Sequence, residues 1–151
     1  MYHRILVPLD GSAAAERGLR EAIGLAAEQK ARLSLLHVAD NLPMLVEMSS
    51  VTNYQEMLNE LRRYGEDVLA KAKRAAAEAG VQADTLLREV TQGRVSDVII
   101  DEAKKAGCGL IVMGTHGRRG VSRLTLGSEA ERVVRSSTVP VLLVRLDESS
   151  S

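Results

Sequence analysis

Apolar residues are distributed along this chain in two patterns, which predict two kinds of secondary structure. Short, mainly apolar runs are typical of strands that are buried on both faces of a parallel sheet. They are Ile5 to Leu9, Arg32 to Val38, Gly109 to Met113 and Val139 to Val144. A fifth and more polar run, Gln82 to Val90, predicts a strand at the edge of the sheet.

Between these runs, apolar residues recur at every third or fourth position, which predicts amphipathic helices. The first helix follows Ser12, its expected N-cap, and the longest extends from about Tyr54 to Ala79. Two more helices follow Gly93 and begin at Ser128. This alternation predicts an α/β fold with right-handed crossovers: a five-stranded parallel sheet of order 3-2-1-4-5, with helices on both faces.

The size of the chain is that of one independent domain. It has 151 residues and a mass of 16.3 kDa, enough to bury about two-thirds of the unfolded surface. We expect residues 1–146 to form this domain and residues 147–151 to form a solvated tail.

The composition excludes several classes of function. Phe and Trp are absent and 20 basic residues balance 20 acidic ones, which argues against a nucleic-acid-binding surface. The single cysteine, Cys108, excludes an internal disulfide or a CxxC site, and we expect it to be inert core filling. The chain enters its first strand almost at once and has no apolar run long enough to span a bilayer. We therefore expect a cytoplasmic protein without membrane insertion.

The segment after the fourth strand carries the strongest sign of a ligand. Its glycines follow the spacing Gly114-x2-Gly117-x9-Gly127, and Ser128 comes next. Between a strand and a helix, such a loop lets N–H groups converge on a phosphate at the positive end of the helix dipole. The loop is locally cationic, with His116, Arg118, Arg119 and Arg123. The alternative is a mobile surface loop in which Ser128 and Glu131 only form a capping box.

Asp10 follows the first strand, which is the second place where a ligand is expected. In the predicted sheet the first and fourth strands flank the switch point, where open α/β sheets bind ligands. Asp10 and Gly114 therefore converge on one crevice, although an Asx turn is an alternative role for Asp10. The connection from Asp40 to Asn53 is either a flap over the ligand or a cluster of packed methionines. We expect His37 to be a packed core histidine.

Taken together, these motifs resemble the ATP-binding branch of the universal stress protein family. The resemblance covers residues 3–146 and rests on Ile5 to Ser12, Leu110 to Gly117, Gly127-Ser128 and Val139 to Val144. It implies a Rossmann-like fold of the adenine nucleotide alpha hydrolase-like type, with ATP and magnesium in the crevice. It also implies a homodimer formed through the last strand.

The resemblance further implies a role for each residue of the site. Asp10 would lie near the ribose and the metal–phosphate end, and Val38 would meet the adenine through its backbone. The remaining residues would hold the phosphates (Gly114, Gly117, Gly127 and Ser128) or form the pocket walls (Pro8 and Met113).

Two residues depart from the family's pattern. Glu129 follows Gly-Ser, where a small or aliphatic residue is common, and its charge would repel a triphosphate if it pointed inward. Gly109 stands where the family often has Asp, and we expect this change to affect a turn rather than the ligand.

Three functions remain open. No lysine follows Ser128 as a Walker loop requires, and the fingerprint GxGxxG is missing, so nucleotide binding is better supported than catalysis. The leading hypothesis is an ATP-binding regulatory module whose state a protein client reads. The alternatives are a slow magnesium-dependent ATPase, in which Asp10 holds the metal, and a nucleotide-free dimeric scaffold.

Overall fold

The structure is a computed structural model, and it describes residues 2–41, 54–116 and 126–146. Strands and helices alternate through these residues, as the apolar pattern predicts. In chain order they are β1 (Arg4–Pro8), α1 (Ala13–Gln29), β2 (Arg32–Asp40), α2 (Tyr54–Glu78), β3 (Ala83–Val90), α3 (Val95–Lys105), β4 (Leu110–Gly114), α4 (Ser128–Ser136) and β5 (Val141–Val144).

The strands of the described chain form one parallel sheet of order β3-β2-β1-β4-β5. This order confirms the predicted topology. The ladder between β2 and β3 is the longest and includes every β2 residue from Leu33 to Asp40. β1 pairs with β4 only at Ile5 and Leu6. The chain reverses its winding between β1 and β4, so their carboxyl ends flank the switch point.

The last strand is shorter than the predicted run from Val139 to Val144, because it begins at Val141. Pro140 has no N–H to donate, although its carbonyl accepts the Ile111 N–H at 3.0 Å. Before it, the Ser137 hydroxyl accepts the Val139 N–H at 3.1 Å. The Ser137–Val139 contact forms a local turn, and the Pro140 carbonyl accepts the first hydrogen bond from β4.

The sheet has an aliphatic core on each face, which confirms that helices cover both sides. One core joins the sheet to α1 and α2, through residues such as Leu19 and Leu69. The other joins it to α3 and α4, through Ile99 and Val133. Cys108 belongs to the second core, and burial raises the pKa of its thiol. The thiol therefore stays protonated at neutral pH, as expected for inert filling.

α1 crosses the end of β4 at a very short distance, and two glycines make this possible. A Cβ on Gly18 would lie 3.2 Å from the Gly114 nitrogen. A Cβ on Gly114 would lie only 2.6 Å from the carbonyl oxygen of Ala14, which is a severe clash. Gly114 therefore needs to be glycine for packing, and Gly18 leaves little room for a larger residue.

The β5 edge of the sheet exposes apolar side chains. Leu142 on β5 keeps 39% of its surface accessible, and Val134 on the neighbouring helix α4 keeps 46%. Across the three described ranges, no helix combines the length and the apolar character that a membrane crossing requires.

Candidate functional site

Asp10 occupies the turn that joins β1 to α1. Its Oδ1 accepts the Ser12 N–H at 2.9 Å, which is an Asx turn, and Gly11 between them has a φ of +86°. The Ser12 hydroxyl in turn accepts the Ala15 N–H at 3.1 Å and caps α1. The Asx turn, first considered as an alternative to a ligand role, is thus present, and it fixes the carboxylate at the carboxyl end of β1.

The main chain of Val38 faces the side on which β1 has ended. The last hydrogen bond toward β2 runs from the Leu9 N–H to the Leu36 carbonyl, at 2.7 Å. Peptide groups two residues apart in a parallel strand point to the same side, so those of Val38 point where β1 would continue. On the opposite side, the Asn41 N–H donates to the Val90 carbonyl of β3 at 2.9 Å. Val38 can therefore offer its backbone to a planar polar ligand.

The two ends of the glycine loop meet at Thr115. The Gly127 N–H donates to the Thr115 carbonyl at 2.8 Å, and the Thr115 N–H donates to Val144 of β5 at 3.1 Å. This bridge brings Gly114 close to the first residue of α4, Ser128, so both ends of the loop can reach one polyphosphate. Gly117 lies outside the described residues.

The conformations of the glycines revise their expected role. Positive φ angles occur at Gly11, Gly80, Gly93 and Gly107, but not at Gly114 or Gly127. Gly127 has φ −61° and ψ 149°, which other residues also adopt. The close approach at Gly114 is to the Ala14 carbonyl of α1, so packing accounts for this glycine and its identity alone is weak evidence for phosphate binding.

The expected capping box at the start of α4 is wrong. Gly127 is the N-cap and has no side chain to cap with, and Ser128 is the first helical residue. Because glycine has no side chain, a glycine N-cap cannot accept a hydrogen bond from the first N–H groups of the helix through a side chain. The amino end of α4 is thus suited to an anion.

Glu129 is directed to another helix. Its Oε2 accepts the Ser96 N–H at 2.7 Å, which caps the start of α3, where the N-cap Arg94 makes no side-chain cap. Its Oε1 accepts a hydrogen bond from Arg132 at 3.0 Å. Both carboxylate oxygens are therefore engaged, one at the start of α3 and one by Arg132 of α4.

Two buried side-chain atoms lack a hydrogen-bond partner among the described residues, Asn41 Oδ1 and His116 Nε2. Asn41 is 1% exposed and directly follows β2, and His116 follows β4 two residues after its end. The other ring nitrogen of His116 lies 3.0 Å from the Thr115 hydroxyl. A buried polar atom without a partner costs about 1–3 kcal/mol. Both atoms lie at the carboxyl end of the sheet, so a polar ligand fits this edge.

The other predicted residues lie at the same edge. Pro8 ends β1, Val38 lies near the end of β2, and Met113 immediately precedes Gly114 on β4. Met113 is 6% exposed and Val38 is half-buried, and both pack in the core between the sheet and helices α3 and α4. The structure therefore brings the described members of the predicted site to the carboxyl ends of three adjacent strands.

The protein supplies no complete metal site of its own in the described ranges. There, no three His, Cys, Asp or Glu side chains lie close enough to hold an ion. Of the loop from Asp40 to Asn53, only Asp40, at the end of β2, and Asn41 lie within the described residues.

Sequence reasoning missed the contacts of three residues at this edge of the sheet, and two of these residues hold the Leu9–Asp10 segment. Asn41 belongs to no recognisable motif. Tyr64 lies on α2, whose sequence shows only the apolar periodicity of an amphipathic helix. His37 is buried as expected, but its Nδ1 also lies 2.8 Å from the Leu9 carbonyl. Only the tertiary fold brings these residues to the site, so no local sequence signal marked them.

The fold and the site define a class of protein: a doubly wound α/β domain with polar groups at its switch point. The profile of the universal stress protein family matches residues 1–145. Universal stress protein YxiE of Bacillus subtilis is 39% identical over 153 residues, which cover 96% of this chain and 100% of that protein. The chain therefore belongs to the universal stress protein family.

Solved structures agree with this assignment. The protein MJ0577 aligns with a TM-score of 0.83 at 28% identity, covering 98% of this chain and 99% of that one. A universal stress protein family member from Burkholderia pseudomallei aligns with a TM-score of 0.78 at 33% identity, covering 95% and 96%.

Two more distant structures, both at 22% identity, share the fold and contain a ligand. One is a universal stress protein in complex with cAMP, with a TM-score of 0.68 and coverage of 97% and 98%. The other is a universal stress protein from Archaeoglobus fulgidus in complex with dAMP, with a TM-score of 0.66 and coverage of 94% and 97%.

Proposed function

We propose that this protein is an ATP-binding regulatory module of the universal stress protein family. The observation that carries the proposal is the arrangement at the carboxyl ends of β2, β1 and β4. There, the Asp10 turn and the open main chain of Val38 lie at one edge with the bridge between Thr115 and Gly127. Two buried polar atoms at this edge, Asn41 Oδ1 and His116 Nε2, have no hydrogen-bond partner within the part of the chain that the structure describes.

Each part of the nucleotide has a matching group in this proposal. The adenine meets the peptide groups of Val38, and Pro8 and Met113 form apolar walls. Asp10 serves the ribose and a magnesium ion held by the phosphates. The phosphates lie at the amino end of α4, where the helix dipole and the N–H groups stabilise negative charge. The residues proposed to hold them are Gly114, Gly117, Gly127 and Ser128.

Adenine is the base we propose, and two relatives of the same fold motivate this choice. Each is a universal stress protein solved with an adenine nucleotide, cAMP in one and dAMP in the other. Their ligands contain one phosphate, whereas in this proposal the amino end of α4 also holds the further phosphates of ATP. ATP is therefore the ligand to test first, with AMP beside it.

Regulation by binding fits this site better than turnover does. Ser128 is followed by Glu129 rather than by the lysine of a Walker loop, and Glu129 is engaged with Ser96 and Arg132. In our proposal the phosphates change the surface around the glycine loop, and a protein client reads that change. This regulation uses the nucleotide pool of the cytoplasm, which is the location that the proposal requires.

We also propose that two copies associate through β5. This strand is at the edge of the sheet, and an unpaired edge invites a further strand. The exposed Leu142 supplies apolar surface at that edge. Association here leaves the carboxyl edge of β1 and β2 open to the nucleotide.

Thermal unfolding tests the nucleotide proposal. Protein stripped of nucleotide by unfolding and refolding is heated with Mg-ATP, with AMP, or with Mg-GTP. A ligand at about a hundred times its Kd adds about 2.7 kcal/mol, which raises the Tm by about 5 to 10 °C. We expect this rise with Mg-ATP and not with Mg-GTP. Equal midpoints in all samples would refute the proposal and favour the nucleotide-free scaffold.

Measuring phosphate release from ATP distinguishes an ATP-binding regulatory module from a slow ATPase. We expect no release above background from protein purified through several columns. Steady phosphate release that disappears in the Asp10→Asn variant would show that the protein is a slow ATPase and not a module that acts by binding alone.

A further inference from the structure

Two successive carbonyl groups at the end of β1 are held by side chains from other elements. His37 of β2 has its Nδ1 2.8 Å from the Leu9 carbonyl oxygen. The hydroxyl of Tyr64, on α2, donates to the Asp10 carbonyl at 3.0 Å. Since a carbonyl oxygen only accepts hydrogen bonds, His37 carries a proton on Nδ1. Each carbonyl that leads into the Asp10 turn thus has its own donor.

Glycines allow both rings to come this close. A Cβ on Gly11 would collide with the Tyr64 hydroxyl, and φ at Gly11 is +86°. A Cβ on Gly65 would lie 2.6 Å from Cδ2 of His37. The two rings themselves meet edge to face, with centroids 5.8 Å apart and planes at 67°. His37 is 6% exposed, so this contact is fixed by packing on several sides.

The hydrogen bond from Tyr64 and the carboxylate both belong to Asp10, so the tyrosine holds the backbone of the residue that carries the carboxylate. Tyr64 holds the Asp10 carbonyl, while the Asp10 side chain accepts the Ser12 N–H at 2.9 Å. Main chain and side chain of Asp10 are therefore anchored at separate points, one on α2 and one at the start of α1. A ligand group that binds Asp10 meets a carboxylate whose backbone is already in place, which lowers the ordering cost of binding.

We propose that Tyr64, supported by His37, is a positioning residue of the nucleotide site. It contacts no ligand itself, and it acts by holding the backbone of Asp10 so that the carboxylate is aimed at the ribose and magnesium. This proposal rests on the proposed nucleotide function for its ligand. Its structural part, the anchoring of the Asp10 turn by α2, does not depend on that function.

The Tyr64→Phe variant tests the role, because it removes the hydroxyl and keeps the ring. Tyr2→Phe is the matched control, since Tyr2 is partly buried beside Gly109, at the amino end of the sheet. We expect Tyr64→Phe to weaken Mg-ATP binding by about fivefold in titration calorimetry, the equivalent of one hydrogen bond. Tyr2→Phe should stay within about twofold of the wild type. Equal affinities of the two variants would overturn the proposal.

A double-mutant cycle shows whether Tyr64 acts through Asp10. Asp10→Asn keeps an oxygen for the Ser12 N–H but removes the charge. In that background, Tyr64→Phe should change Mg-ATP affinity by less than about twofold, since the carboxylate it positions is gone. A full fivefold loss in both backgrounds would mean that Tyr64 acts elsewhere, and would contradict the positioning role.

The amide signal of Ser12 gives a readout without nucleotide. Its N–H is the donor to Asp10 Oδ1, so a looser turn shifts its resonance and speeds its hydrogen exchange. We expect both changes in Tyr64→Phe and neither in Tyr2→Phe. An unchanged Ser12 amide in a folded Tyr64→Phe protein would overturn the proposal. If the wild type does not bind Mg-ATP, the nucleotide function fails, and the Ser12 amide still decides the anchoring.

Discussion

The Glu129 carboxylate accepts the Ser96 N–H at 2.7 Å, so the first turn of α4 caps the first turn of α3. The negative charge stabilises the positive end of the α3 dipole. One contact thus joins two helices and gives the carboxylate a structural role at the start of α3.

The Glu129→Gln variant measures separately the effect of this charge on stability and its effect on Mg-ATP affinity. Loss of the charge should lower the free energy of unfolding by about 0.5–1 kcal/mol, because the cap on α3 is weakened. The affinity for Mg-ATP should stay within about twofold. Urea unfolding and titration calorimetry on the same samples measure both quantities. A gain in affinity of tenfold or more would mean that Glu129 faces the phosphates after all.

Glycine-to-alanine variants test whether Gly114 is a packing residue. Gly114→Ala puts a Cβ 2.6 Å from the Ala14 carbonyl, and we expect a loss of stability of about 1–3 kcal/mol without any ligand. Gly24→Ala is the control, because nothing lies within 4 Å of a Cβ there and Gly24 is inside α1. That change should stabilise by about 0.5–1 kcal/mol. A fully stable Gly114→Ala protein would show that α1 does not need this glycine.

A charged substitution on β5 tests whether two copies associate through this strand. Leu142→Glu puts a carboxylate on the exposed apolar surface, and we expect it to convert a dimer into a monomer in light scattering. Met57→Glu is the control, because Met57 is 40% exposed but lies on α2, and it should leave the dimer intact. A wild type that is monomeric at micromolar concentration, or a dimer that survives Leu142→Glu, would contradict association through β5.

Asp84 links stability to pH. The hydrogen bond from Arg4, at 2.9 Å, lowers the pKa of this carboxyl, and Arg32 adds to the effect. A carboxyl whose pKa is lower in the folded state stabilises the fold above its unfolded pKa, near 3.9. That stabilisation is lost as the pH falls through the folded value.

The Asp84 side chain is 48% exposed, so the expected contribution is less than about 1 kcal/mol. The stability difference between wild type and Asp84→Asn should therefore be present at about pH 6 and shrink below about pH 4. Urea unfolding across this range measures it. A difference that does not change with pH would show that the Arg4–Asp84 pair has no role in acid stability.

The order of strands and helices could be predicted because the apolar pattern alone determines which segments are buried. Runs such as Ile5 to Leu9 are buried on both faces, and the periodicity of α2 indicates its length. The start of β5 differs, because Pro140 has no N–H for the ladder and the Ser137 hydroxyl accepts the Val139 N–H in a turn that apolar content does not reveal.

The site could be predicted only as far as local motifs reach. Asp10 and Gly114 follow buried strands, and the parallel topology brings them together. The partner of Glu129 is on another helix, and the need for glycine at Gly114 comes from Ala14 of α1. Tyr64 reaches Asp10 across 54 positions of the chain. Such contacts depend on tertiary packing, which one sequence does not encode locally.

Titration calorimetry of nucleotide-stripped protein with Mg-ATP tests the central claim most directly. The wild type and Gly24→Ala should bind one nucleotide per chain with equal affinity. Gly117→Val should remain folded but give no binding heat, because its branched side chain prevents the close approach of N–H groups to the phosphates. No binding by the stripped wild type, or equal binding by Gly117→Val, would contradict the account of this edge of the sheet as an ATP site.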